Sequence, residues 1–60
     1  MIRIQVELPE ELAESFAEFL KRAGYHEYRP LAISEQEAYA MQAAGDKLRA
    51  AFAEHGYSPR

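Results

Sequence analysis

Sixty residues carrying a net charge of −3, with a pI near 5.2 and no cysteine, hold one small domain and exclude a disulfide scaffold, a zinc knuckle and an iron–sulfur cluster. Eleven alanines inflate the 48% apolar fraction, and a chain this short with so few bulky residues sits near the margin of stability, so association between chains is expected. The mildly acidic balance disfavours non-specific binding to nucleic acid or anionic membranes, and no window approaches the eighteen or so apolar residues of a membrane span. A cytoplasmic protein without a membrane partner is expected.

From the N-terminus, Ile2, Ile4, Val6 and Leu8 alternate with Arg3, Gln5 and Glu7, which predicts a half-buried strand over about 2–8. Pro9 ends it and presets a helical turn, with Glu10 and Glu11 at the positive end of the helix dipole. Leu12, Phe16, Phe19, Leu20 and Ala23 then form an apolar stripe at helical spacing, its four bulky members being core candidates, and Lys21 and Arg22 precede Gly24, so a helix is predicted over about 9–23. Residues 24–33 lack helical periodicity and read as a connector with a short extended piece at Leu31 to Ile33, Arg29 being pushed toward extended geometry by Pro30. Ser34 followed by Glu37 is a capping-box pattern that opens a second helix over about 35–55, with Ala38, Met41, Leu48, Ala51 and Phe52 as its inward stripe. Gly45 falls on that stripe, and a short tail, 56–60, closes the chain. Gly24-Tyr25 and Gly56-Tyr57 both predict left-handed glycines closing their helices with a hydrophobe behind them.

A single strand leaves its backbone groups unpaired and its apolar face bare. The economical remedy is the same strand from a second chain, antiparallel across a two-fold axis, with Ile2, Ile4, Val6 and Leu8 as the dimer interface; the alternative is pairing within the chain to a strand in residues 25–33, which Pro30 would confine to an edge. The expected architecture is therefore α+β, in the order β-α-α, as a homodimer.

The run Arg3-Ile4-Gln5-Val6-Glu7-Leu8-Pro9-Glu10-Glu11-Leu12 resembles the strand and first-helix start of the ribbon-helix-helix (Arc/MetJ-like) DNA-binding family. That resemblance covers about the first twenty-four residues and implies a dimeric transcriptional regulator. Arg3, Gln5 and Glu7 would then read base edges in the major groove, and Ser34 would anchor a phosphate at the start of the second helix. The sequence departs from the family pattern at Glu7, in the length of residues 24–33, and in the carboxylates Glu35 and Glu37 beside the anchor. A disordered toxin-binding tail is not expected, which argues against an antitoxin.

The second expectation is a small acidic adaptor or inhibitor of the sort carried by phages and mobile elements, binding a protein and no DNA. Tyr25, Tyr28, Arg29 and Tyr39 are the residue types enriched at binding hot spots, against the alternative that they cap a thin core. Lys21, Arg22, Lys47 and Arg49 are read as completing helix ends and solvated faces rather than clamping phosphates. His26 and His55 lie too far apart for a local metal motif, and Ser15, Ser34 and Ser58 have no histidine at an activating spacing. No enzyme, metal or cofactor is expected.

Overall fold

The computed structural model describes residues 1–57; the last three residues of the expected tail, Ser58 among them, lie outside the described residues. Helix α1 spans Glu10–Arg22, α2 spans Tyr25–Tyr28 and leads into a 3-10 turn at Arg29–Leu31, and α3 spans Glu35–Glu54. Among the described residues there is no strand, so the expected α+β class is overturned in favour of an all-helical chain.

The correction has a physical cause. Residues 1–9 run without regular hydrogen bonding and are exposed throughout. A strand needs a ladder partner, and the one segment of this chain that offered itself, 25–33, is taken up by α2 and the 3-10 turn. Pro30 lies in the first turn of that 3-10 element, where its fixed φ and missing N–H cost nothing, so the extended piece expected at Leu31 to Ile33 does not form.

Local chemistry sets the helix ends. The carbonyl of Pro9 accepts from Ala13 N at 3.0 Å, with Glu10 and Glu11 in the first turn of α1 and Lys21 and Arg22 in its last. Ser34 Oγ accepts from Glu37 N at 3.1 Å, and the Glu37 carboxylate accepts from Ile33 N at 3.0 Å, one residue earlier than a strict capping box. At the far end of α3, Gly56 takes φ +90°, Gly56 N donates to Ala53 O and Tyr57 N to Phe52 O at 2.8 Å, and the Tyr57 ring meets the Phe52 ring edge-on. Gly24 behaves otherwise: its φ is −121°, and it caps the start of α2 while its N–H donates to the Glu27 carboxylate. The left-handed turn expected there is absent because Ala23 already leaves the helix in extended geometry.

Helix α3 is the spine, and α1, α2 and the 3-10 turn all pack on it. The seam is made mostly of small residues: Ala13 and Ala17 of α1 are buried beside Leu20, as are Ala38 and Gly45 of α3, with Ala38 fully so. Gly45 is required by a close approach, because a Cβ there would run into the Tyr28 hydroxyl and stand 3.4 Å from its ring carbon Cζ. The result is a slab measuring 33 × 28 × 16 Å.

Candidate functional site

The stripe expected to face inward on α1 is split. Leu20 is buried, whereas Leu12, Phe16 and Phe19 are exposed, Phe19 to 49%. Ala13 and Ala17 fill the seam because small side chains let the α1 and α3 backbones come close, and this rotates the bulky residues about a quarter turn out of it. On α3, Leu48 shares the same fate and Phe52 is half-buried.

Together these side chains wall an open apolar groove between α1 and α3. Leu12, Ser15, Phe16 and Phe19 form one side, and Leu48 and Phe52 the other. Val6 and Leu8 of the N-terminal arm close one edge. The rings hold one another in place: Phe16 stacks on Phe19 with centroids 5.4 Å apart and meets Phe52 edge-on at 6.1 Å. Tyr57 extends the cluster from Phe52, and burial, with the carboxylates of Glu10 and Glu14 adding to it, raises its phenol above the ordinary value of 10.0.

The arm shows a gradient. Exposure falls from 88% at Ile2 through Ile4 and Val6 to 44% at Leu8, as the alternating face approaches the groove. Of the expected dimer-interface residues, Val6 and Leu8 thus line the groove, while Ile2 and Ile4 project from it. Arg3, Gln5 and Glu7 are exposed on the same irregular segment. Ser34 is part-buried and engaged in capping α3, and among the described residues no hydrogen bond joins it to the arm. The segment that carries Arg3, Gln5 and Glu7 is irregular rather than a strand.

The tyrosines divide between packing and surface. Tyr28 lies against Gly45, and Tyr25 stacks on Tyr39 with centroids 4.8 Å apart, while Tyr39 remains exposed. The Arg29 guanidinium donates forward to the Ala32 carbonyl, and Arg22 pairs with Glu18 at 3.0 Å on the solvent side of α1. Among the described residues no three His, Asp or Glu side chains come together as a metal-binding group. No described helix is long and apolar enough to cross a membrane.

Sequence reasoning missed the groove because it assigned Leu12, Phe16, Phe19 and Leu48 to the core. The signal was present in the alanines: Ala13 and Ala17 lie four apart beside the bulky stripe, a spacing that makes a second, closer-packing seam on α1.

Neither the characterised proteins nor the solved structures offer a match to this chain. A family profile matches it over residues 1–60, and the chain therefore belongs to that family, the family of unknown function DUF7706.

Proposed function

We propose that this is a non-catalytic, cytoplasmic protein-binding module whose working surface is the groove between α1 and α3 together with the edge of the arm. The observation that carries the reading is the inversion of α1: its alanines are inside and its Leu12, Phe16 and Phe19 are outside. An exposed contiguous apolar face on a small chain marks an interaction surface.

The scale of exposure supports it. The chain exposes 5331 Å², whereas the scaling for compact monomers gives roughly 4,000 Å² at this mass of 6.9 kDa. An aromatic cluster at the centre of the groove supplies the rigid anchors that dominate binding energy. Base reading by Arg3 and Gln5 would need a firm element to fill a major groove, and the irregular arm gives less support to that use than the walls of the groove give to protein binding.

The test is site-specific photocrosslinking in producing cells with benzoylphenylalanine at position 19. The expected result is a discrete protein adduct that disappears when Leu48→Glu places a charge on the opposite wall. Absence of any adduct, or adducts indifferent to Leu48→Glu, would refute the reading.

A further inference from the structure

Resting on that reading, the remaining question is which chain covers the groove. We propose that it is a second copy of this chain, with the two α1 helices antiparallel across a two-fold axis at Leu12, Ser15, Phe16 and Phe19.

Area is the first ground. The exposed fractions of Val6, Leu8, Leu12, Phe16, Phe19 and Leu48 correspond to on the order of 600 Å² of surface, the greater part of the ~800 Å² that each partner contributes to a standard interface. A face of that size on a 60-residue chain calls for a partner matched to nearly its whole length.

Charge is the second. Helix α1 begins with Glu10 and Glu11 and ends with Lys21 and Arg22. Glu11, Ser15, Glu18 and Arg22 follow one another along the stripe that flanks the groove, being spaced four, three and four apart. Laid antiparallel on a copy of itself, the acidic end of each α1 meets the basic end of the other, and the two helix dipoles oppose. The Arg22–Glu18 pair is largely exposed and exchanges partners at little cost. A second copy supplies this complementarity by symmetry alone.

The third ground is Ser15. It is exposed at the middle of the stripe, inside the groove lining, between the large side chains of Leu12, Phe16 and Phe19. A small side chain at the centre of a helix–helix crossing permits the close approach on which ridge-in-groove packing depends.

Sedimentation equilibrium on the full chain, followed from nanomolar to high micromolar concentration, tests this. The wild type is expected at twice the chain mass in the micromolar range. Ser15→Arg, at an exposed position, should keep the helical circular dichroism of the dilute wild type and raise the dissociation midpoint about tenfold or more. Glu11→Lys and Arg22→Glu should each weaken the dimer, and the double variant E11K/R22E should recover most of the loss, as it must if those two ends face each other. A folded wild-type monomer at every concentration overturns the proposal, and a double variant as weak as the singles overturns the antiparallel arrangement. A position-19 adduct to a different protein, found with a monomeric wild type, removes the second copy while leaving the protein-binding reading in place. No adduct and a monomer together remove both.

Discussion

On the side of α1 that meets α3, contact is made by Ala13, Ala17 and Leu20, whereas about a quarter turn away Leu12, Phe16 and Phe19 stand about half exposed to solvent. The first side has the close backbone approach of a packed seam, with Ala17 only 1% exposed and Gly45 pressed by Tyr28. The second carries most of the apolar bulk and, among the described residues, is met by the arm only at the edge that Val6 and Leu8 form. Burying small residues and exposing large ones is a poor arrangement for a lone chain, since the hydrophobic gain scales with apolar area removed from water. It is a sound arrangement for a chain whose bulky face is completed by another.

The sharpest way to break that contrast is to cut one large residue from each side. Leu20→Ala is expected to cost about 3 kcal/mol of stability, because it empties a buried site that cannot readily collapse. Phe19→Ala should cost only about 1 kcal/mol in dilute protein, since half of the ring is already in water. Thermal melts over a range of protein concentrations should give a Leu20→Ala shift that stays constant and a Phe19→Ala shift that grows with concentration. Equal, concentration-independent shifts would erase the distinction between the two sides.

The seam itself can be probed at Gly45. Replacing it with Val sets two methyl groups against the Tyr28 ring and should destabilise by about 2 kcal/mol, outweighing the gain in helix propensity. Chemical denaturation of Gly45→Val and of Gly45→Val with Tyr28→Ala checks it: most of the loss should be recovered once the ring is removed.

Local devices contribute less. Ser34→Ala removes the cap that accepts from Glu37 N and should cost about 1 kcal/mol, without changing the groove. The two glycines separate cleanly: Gly56→Ala should cost about 1 kcal/mol through its positive φ, while Gly24→Ala, at φ −121° with its nearest neighbour 3.4 Å away, should be neutral or slightly stabilising.

The smallest effect concerns Tyr57. Its phenol is held protonated by burial and by repulsion from Glu10 and Glu14, so its folded value lies above that of the unfolded chain. The stability this gives is complete below the ordinary value of 10.0 and is lost as pH rises through the folded value. Ultraviolet titration should show a late-ionising phenol component that is lost in Tyr57→Phe.

Much of the local structure was legible from residue order. Glu10 and Glu11 against Lys21 and Arg22 set out α1, and Ser34 with Glu37 marked the start of α3 within a residue. Such signals are local, and so are the forces that act on them. Three features were not legible for the opposite reason. The alternation of residues 2–8 states a preference for a ladder but cannot supply the partner strand. A four-residue helix such as Tyr25–Tyr28 is shorter than the period needed to detect it, and its N-terminal glycine resembles a helix stop. The stripe on α1 is broad enough to contain both Ala17 and Phe16, and only packing against α3 decides which one is buried. The groove follows from that decision, which is why its residues were first assigned to the core.

The measurement that tests the central claim most directly is an isotope-filtered nuclear Overhauser experiment on a mixture of labelled and unlabelled chain at a concentration where association is complete. Cross-chain contacts are expected between the Phe16 and Phe19 rings of one copy and the Leu12 methyls of the other, together with contacts joining the two ends of α1. A spectrum in which every contact of those rings is satisfied within one chain would contradict that claim.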